Sequence, residues 1–221
     1  MKQIVLTAVE KSYGFGKKKT SVLKQVNLTV RHGECLVIYG ERESGKTTLL
    51  ELLAGIKEVD DGEIQVGTCE LMFASKEEIA KLRRTTIGIY SQEHVPLLRG
   101  LSVADNLEMM RQLSGNKQAF EAQKQAVQTF GIETLLEQEV STLSSYEREA
   151  TLFARMVLSE PELLLVDEPQ EEKLLRLLIG YARSKRQTLI AATSNKELVT
   201  LFPGLVALDG GQVVEVMGGL M

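Results

Sequence analysis

The stretch Gly40-Glu41-Arg42-Glu43-Ser44-Gly45-Lys46-Thr47-Thr48 decides the fold, because it fits the phosphate-loop pattern G-x-x-x-x-G-K-[ST]. It follows the apolar run Cys35–Tyr39, which predicts a buried strand, and it leads into Thr47–Leu53, which predicts a helix. In that context backbone N–H groups and the positive end of the helix converge on an anion, and Lys46 adds a full charge. A simple glycine turn before a core helix would leave Lys46 unexplained. We therefore predict a nucleotide site whose phosphate contacts are Gly40, Ser44, Gly45, Lys46, Thr47 and Thr48, with the Thr47 hydroxyl as a ligand of Mg²⁺.

The composition limits the function classes. At 221 residues the chain is long enough for one large α/β domain, and its net charge of −4 predicts no nucleic-acid partner. The two cysteines, Cys35 and Cys69, have neither the number of a disulfide framework nor metal-ligand spacing. No apolar run approaches the roughly 18 residues that cross a bilayer, and the start does not have the pattern of a secretory signal. These features predict a cytoplasmic chain whose membrane role comes through a partner.

The order of apolar patterns predicts a core interrupted by helices. Alternating segments in the first third predict strands of a partly exposed sheet, at Ile4–Leu6 and Val22–Val30. Helical spacing then predicts three helices beginning at Val103 and spanning Ala119–Phe130 and Tyr146–Leu158. The remainder alternates strand and helix, which predicts a mostly parallel sheet covered on both faces, with elements at Leu163–Val166, Glu171–Tyr181, Thr188–Ala192 and a final hairpin of Leu205–Leu208 with Val213–Val216. We expect a single domain, 1–221, with its core in 1–92 and 160–221 and a helical subdomain at about 93–159.

A second element of a phosphate site follows the strand Leu163–Val166, where the chain reads Asp167-Glu168-Pro169. A buried strand that ends in carboxylates places them at the edge of the sheet where nucleotides bind. Asp167 is predicted to hold Mg²⁺, and Glu168 to orient or deprotonate the water that attacks the terminal phosphate. The alternative is an ordinary strand-end turn before a proline.

Together these segments resemble the ATP-binding cassette (ABC) ATPases over nearly the whole chain. The resemblance implies a P-loop NTPase core of the RecA-like type, an antiparallel β subdomain at the N-terminus, an inserted helical subdomain, and ATP with Mg²⁺ as cofactors. Tyr13 resembles the family's aromatic that stacks on adenine. Gln92 resembles the glutamine that joins the core to the helical lobe, touches the metal site and takes part in catalysis. Leu143-Ser144 stands where the signature L-S-G-G-Q belongs, and Lys81–Arg84 with Leu101–Leu107 resembles the lipoprotein-release and macrolide-export branch.

The chain departs from that family in its phosphate loop. Glu43 replaces a usual glycine, and Glu41 adds a second carboxylate beside it. A carboxylate about 6 Å from a phosphate costs on the order of 3 kcal/mol at an effective dielectric near 20 if nothing screens it. Arg42 lies between the two and offsets part of this repulsion. We expect weakened nucleotide affinity.

The other departures concern parts that the family uses across a dimer. Ser145, Tyr146 and Glu147 replace Gly, Gly and Gln of the signature, and Ser144 with Glu147 predicts a capping box that satisfies the helix N-terminus internally. Glu147 and Glu149 are expected to repel a triphosphate. After Pro169 the family's Leu-Asp loop is missing, and Ser194 replaces the histidine that contacts the terminal phosphate.

Two main hypotheses follow from the resemblance. The first is an energy-coupling ATPase subunit that docks under an integral-membrane permease through its helical lobe and Val95–Gly100. The second is a degenerate, mainly non-hydrolytic subunit that pairs with a competent second ABC ATPase subunit, so that a heterodimer is favoured over a homodimer. A small-molecule or nucleotide kinase shares the phosphate loop but would leave the signature-like helix without a role. Both main hypotheses place the chain on the inner face of the cell membrane, with ATP binding retained and hydrolysis weak, conditional or absent.

Overall fold

The computed structural model describes residues 3–14, 16, 19–91, 95–114 and 119–218. Its strands are β1 Gln3–Tyr13, β2 Thr20–Arg31, β3 Cys35–Tyr39, β4 Asp61–Val66, β5 Cys69–Glu70, β6 Ile87–Tyr90, β7 Leu163–Asp167, β8 Thr188–Thr193, β9 Gly204–Asp209 and β10 Gln212–Met217. Its α-helices are α1 Lys46–Leu53, α2 Lys76–Thr85, α3 Val103–Ser114, α4 Ala119–Phe130, α5 Ser145–Val157, α6 Glu172–Ser184 and α7 Lys196–Val199.

The strands form two sheets with different architectures. The first, in the order β2-β1-β4-β5, is antiparallel. The second, in the order β10-β9-β3-β8-β7-β6, is parallel except for the hairpin of β9 and β10. The two sheets meet where the Lys24 N–H donates to the Gly211 carbonyl at 2.8 Å. This architecture confirms the predicted α/β class with a mostly parallel core sheet and an antiparallel N-terminal sheet.

Both faces of the parallel sheet are buried, and the alternation of side chains along β3 shows how. Leu36 and Ile38 pack into one apolar cluster with α1 and the antiparallel sheet. Val37 points the other way, into a second cluster built with α3 to α6. Because successive strand residues face opposite sides, a continuous apolar run such as Cys35–Ile38 is required at this central position.

The predicted helices are present: the one predicted to begin at Val103 does so, Ala119–Phe130 has the predicted bounds, and three others have shifted ends. The helix predicted at Thr47–Leu53 begins at Lys46, that at Tyr146–Leu158 spans Ser145–Val157, and that at Glu171–Tyr181 spans Glu172–Ser184. The first two strands are longer than predicted, because paired backbone continues beyond their apolar centres. The boundary of the helical subdomain at about 93–159 stays a prediction.

Sequence reasoning missed two of the described helices, α2 and the four-residue α7. Helix α2 contains few apolar residues and no fully buried one, so no apolar run marks it in the sequence. Its signal was instead a capping box, in which the Ser75 hydroxyl accepts from the Glu78 N–H while the Glu78 carboxylate accepts from the Ser75 N–H. Within the described part of the chain, no helix combines the length and apolar character that crossing a membrane requires.

Candidate nucleotide-binding site

The phosphate loop connects β3 to α1 and is shaped by two glycines. Gly45, the N-cap of α1, has φ of 103°, and a Cβ there would lie 2.8 Å from Leu23 Cδ2. A Cβ on Gly40 would lie 2.3 Å from the Leu208 carbonyl oxygen. Both positions therefore require glycine, one for its backbone conformation and both for close packing against neighbouring strands.

Lys46 begins α1 and is only 5 % exposed. Its Nζ donates to the Gly40 carbonyl at 2.8 Å and to the Glu41 carbonyl at 2.9 Å. It also lies 3.3 Å from Glu168 Oε1. The ammonium is thus held over the loop by acceptors from both sides of the site, in a position to meet an anion.

Thr47 and Asp167 come together although 120 residues separate them, because β7 lies two strands from β3 in the parallel sheet. The Thr47 hydroxyl donates to Asp167 Oδ1 at 3.1 Å. Burial raises the pKa of Asp167 to about 6, and the nearby Glu168 carboxylate adds to the rise, while the Thr47 hydroxyl and the Lys46 charge oppose it. A hydroxyl beside a partly buried carboxylate forms an oxygen donor pair of the kind that Mg²⁺ prefers together with phosphate oxygens.

Glu168 is held in an unusual backbone conformation. Its φ is 47°, in the left-handed region, and its N–H donates to the Ala192 carbonyl at 2.9 Å. Its Oε2 accepts from the Ser194 N–H at 3.1 Å and from the Ser194 hydroxyl at 3.3 Å. Strain of this kind persists where surrounding contacts overdetermine the position, as they do here. Ser194, predicted only as a replacement for a phosphate-contacting histidine, therefore also orients the carboxylate of Glu168.

An open cleft of about 860 Å³ collects most of the predicted residues. Those that line it are Tyr13, Glu43, Gly45, Lys46, Thr47, Thr48, Glu168 and Ser194. Gly40, Ser44 and Asp167 do not line this cleft; Gly40 and Ser44 belong to the phosphate loop, and Asp167 is joined to the cleft through Thr47. Gln92 lies outside the described residues, so its predicted metal contact stays a prediction.

Glu41, Arg42 and Glu43 are all exposed, whereas Ser44 is buried. Glu43 has φ of 64°, a left-handed conformation that explains why a glycine would suit this position. Its side chain lines the cleft, so the expected repulsion of phosphate concerns Glu43 first.

The N-terminus of α5 is closed by its own side chains. The predicted capping box is confirmed: the Ser144 hydroxyl accepts from the Glu147 N–H at 3.3 Å, and Glu147 Oε2 accepts from the Ser144 N–H at 2.8 Å. The Ser144 hydroxyl also donates to Glu147 Oε2 at 2.7 Å, and this bond, together with the one from the Ser144 N–H, lowers the pKa of the Glu147 carboxyl. Ser145, Tyr146 and Glu147 do not line the cleft of this chain.

The expectation that Glu149 repels a triphosphate is wrong. Glu149 is 2 % exposed and points into the interior, where its carboxylate accepts from the backbone N–H groups of Gln170 and Glu171 at 3.2 Å. Burial raises its pKa, and these donors oppose the rise. Glu149 thus ties α5 to the short link between β7 and α6. Its spacing from Tyr146 and Phe153 places it on the buried side of the helix, a signal that could have revealed this.

A buried lysine over a phosphate loop, beside a hydroxyl–carboxylate pair and a strained glutamate, is typical of P-loop nucleotide-binding proteins. A family model described as "ABC transporter" matches residues 23–171. The chain therefore belongs to the ABC transporter family, as an ATP-binding protein.

Named relatives agree with this assignment. The lipoprotein-releasing system ATP-binding protein LolD of Nitratidesulfovibrio vulgaris is 32 % identical over 95 % of this chain and 94 % of its own length. The uncharacterized ABC transporter ATP-binding protein YbbA of Escherichia coli K12 is 30 % identical over 94 % of each chain. The ATP-binding cassette MJ0796, solved as a post-hydrolysis dimer bound to ADP and Pi, has the same fold, with a TM-score of 0.87 at 24 % identity over 98 % of this chain and all of its own. The predicted resemblance to a lipoprotein-release branch is confirmed by the LolD relatives.

Proposed function

We propose that this ATP-binding subunit couples the binding of Mg-ATP to an integral-membrane permease on the cytoplasmic side of a membrane, with hydrolysis weak, conditional or absent. The relatives include ATP-binding proteins of membrane transport and lipoprotein-releasing systems. The observation that supports this proposal most is the ion pair of Lys46 Nζ with Glu168 Oε1 at 3.3 Å, at the cleft that both residues line. Beside it, the Thr47 hydroxyl donates to Asp167 Oδ1 at 3.1 Å.

The residues present fit a magnesium ion. Mg²⁺ is usually bound by one or two carboxylates, hydroxyls and the phosphates of its nucleotide, and Thr47 with Asp167 supplies such a pair. When bound, the ion would neutralise charge on the phosphates. Lys46 would bind the terminal phosphates through its ammonium, and Glu168, held by Ser194, would orient a water.

Weak hydrolysis is proposed from the residues that the family uses across a dimer. Tyr146 stands where glycine lets a backbone approach the phosphate, and the capping box already satisfies donors of the α5 N-terminus. Only Glu168 to Glu171 separate β7 from α6, which leaves no room for the family's longer loop. In a dimer, this signature would serve the partner's nucleotide poorly.

The one-sided loss favours a heterodimer. This chain keeps Lys46 and Thr47 in its phosphate loop and Asp167 and Glu168 at the end of β7, so a competent second ABC ATPase subunit could complete that site with its own signature. A degenerate, purely structural subunit is the second candidate, in which ATP stabilises the fold and the dimer by mass action. The observation that favours a structural subunit is the α5 N-terminus, which is capped by Ser144 and Glu147 of the same chain.

The test is the ATPase rate of the purified chain, alone and with its partner subunits, compared with Glu168→Gln. A rate that disappears in Glu168→Gln supports the coupling ATPase. Equal rates, with ATP still raising the melting temperature, support the structural subunit.

Lys46→Ala is the matching binding control. It is expected to abolish the rise in melting temperature that ATP and Mg²⁺ produce, because the substitution removes the ammonium group that pairs with the phosphates. An unchanged rise would remove Lys46 from the site and contradict the proposed function in both forms.

A further inference from the structure

Tyr13 ends β1 and borders the nucleotide cleft with 37 % of its surface exposed. Its hydroxyl lies 3.4 Å from the hydroxyl of Thr48, in the first turn of α1. The exposed part of Tyr13 thus borders the cleft, while its hydroxyl lies beside the first turn of the phosphate-loop helix.

Lys57 reaches the same ring from outside the cleft. Its Nζ lies 4.9 Å from the centroid of the Tyr13 ring, within the range of a cation–π contact. The same ammonium pairs with Glu51 Oε2 at 2.7 Å, and Glu51 is buried in α1. Lys57 is absent from the residues that line the cleft and borders a separate groove. Lys57 thus contacts the ring without lining the cleft.

Asp60 fixes the backbone that carries the ring. Its Oδ2 accepts from the Ser12 N–H at 2.9 Å, and its Oδ1 accepts from Lys11 Nζ at 2.7 Å. The Asp60 N–H in turn donates to the Glu10 carbonyl at 3.0 Å. The residue immediately before Tyr13 is therefore anchored to the connection between α1 and β4.

We propose that the α1–β4 connection, residues 56–60, positions Tyr13 as a platform for the nucleotide base, with Lys57 and Asp60 as its positioning residues. This inference rests on the proposed binding of ATP and names what orders the base end of that site. A ring held in place before binding loses less conformational freedom on binding, so base affinity rises. Because Lys57 pairs with Glu51 of α1, the same helix supports both the Tyr13 ring and the phosphate loop.

The test is a double-mutant cycle on ATP affinity with Lys57→Gln and Tyr13→Leu. Glutamine keeps much of the stem and can still donate to Glu51, but it removes the cation. Lys57→Gln is expected to weaken ATP binding about two- to five-fold in the natural background, the factor typical of an exposed cation–π contact. In the Tyr13→Leu background the same change is expected to have no further effect. Lys57→Arg is expected to restore affinity.

Lys185→Gln is the matched control, since Lys185 also pairs with a glutamate, Glu160, and lies over a tyrosine ring, that of Tyr181, at 5.9 Å. It does not line the cleft and is expected to leave ATP affinity unchanged. If Lys57→Gln fails to fold, Asp60→Ala takes its place in the same cycle.

Additive losses in the cycle, or no loss with Tyr13→Leu, would overturn the inference while Lys46→Ala still abolishes binding. Binding that survives Lys46→Ala would instead contradict the proposed function. The two failures are thus distinguishable.

Discussion

At the scale of single residues, the site combines retained binding groups with strain and charge that oppose binding. Glu168 and Glu43 both have left-handed backbone, at φ of 47° and 64°. Glu168 is compensated by hydrogen bonds from Ser194, whereas the exposed Glu43 carries its charge into the cleft. The left-handed backbone of Glu168 thus helps to orient its carboxylate, whereas no described contact explains that of Glu43.

Replacing Glu43 with glycine is expected to tighten ATP binding about fivefold. Glycine adopts the left-handed conformation without strain, and the change removes a carboxylate from the cleft, worth on the order of 1 kcal/mol after solvent screening. Titration of ATP by calorimetry measures the effect. Glu41→Gln, which removes a neighbouring charge that does not line the cleft, is expected to change affinity less; an equal gain from both would show that only net charge matters.

The pKa of Asp167 predicts how magnesium dependence varies with pH. Because burial raises this pKa from 3.8 to about 6, a proton competes with Mg²⁺ below pH 6. The factor by which Mg²⁺ improves ATP affinity is expected to fall as pH decreases through 6, approaching about tenfold per pH unit for one proton. Affinities measured with and without Mg²⁺ between pH 5 and 8 test this.

Asp167→Asn supplies the control for that titration. It removes the carboxyl group of residue 167, so any remaining pH dependence comes from protonation of ATP itself. Its magnesium factor is expected to be small and to follow ATP alone. In the natural chain without nucleotide, the folded state holds this proton more tightly than the unfolded state, so the carboxyl's contribution to the free energy of unfolding decreases as pH rises from about 4 through 6. A pH profile identical in both chains would rule out Asp167 as the titrating group.

At the scale of elements, α5 joins the helical region to the nucleotide site through a buried carboxylate. Glu149 accepts from two successive backbone N–H groups in the link that follows Glu168. The opposite end of that link begins α6, whose first two residues, Glu172 and Lys173, are exposed. Movement of α5 would therefore be transmitted to the backbone next to Glu168.

Glu149→Ala is expected to lower the free energy of unfolding by about 1–3 kcal/mol, because it removes the acceptor of the part-buried N–H groups of Gln170 and Glu171. Chemical denaturation measures the loss. Glu172→Ala is the control, since it breaks an exposed ion pair with Arg176 and should change stability by less than about 1 kcal/mol. Similar losses in both would mean that water replaces the carboxylate of Glu149.

At the scale of the whole molecule, the two halves of the predicted dimer site differ: the phosphate-binding half is assembled, whereas the signature half is capped by its own side chains. The phosphate half is assembled by β3, β7 and β8, whose carboxyl ends meet at one edge of the parallel sheet. The signature half begins α5 and is closed by Ser144 and Glu147. Under the proposed function, such a molecule binds ATP without completing the nucleotide site of a second copy of itself.

Glu168→Gln with ATP and Mg²⁺ is therefore expected to remain monomeric, because each copy lacks a signature that can approach the other's phosphate. Sedimentation or light scattering measures the mass. Restoring the signature with Ser145→Gly, Tyr146→Gly and Glu147→Gln in the same background is expected to allow an ATP-dependent dimer. A dimer of Glu168→Gln with its natural signature would contradict the proposed preference for a heterodimer.

The predictable parts of this protein are local ones. The glycines and lysine of the phosphate loop, the alternation of buried strands with helices, and the capping box of α5 depend on residues a few positions apart, so their patterns are visible in the chain. The helix α2 escaped prediction because it buries no residue completely, and apolar periodicity was the signal sought.

The amino-acid sequence by itself determined the phosphate loop, the class of the fold and most of its helices, because hydrophobic period, turn residues and caps act over short separations. Only the tertiary structure decided that Thr47 meets Asp167, that Ser194 holds Glu168, that Glu149 faces inward and that Lys57 backs Tyr13. The first two contacts follow from the order β3-β8-β7, and the last two from how α5 and the α1–β4 connection pack. Strand order and packing arise from burial summed over the whole chain, which no short stretch of residues encodes.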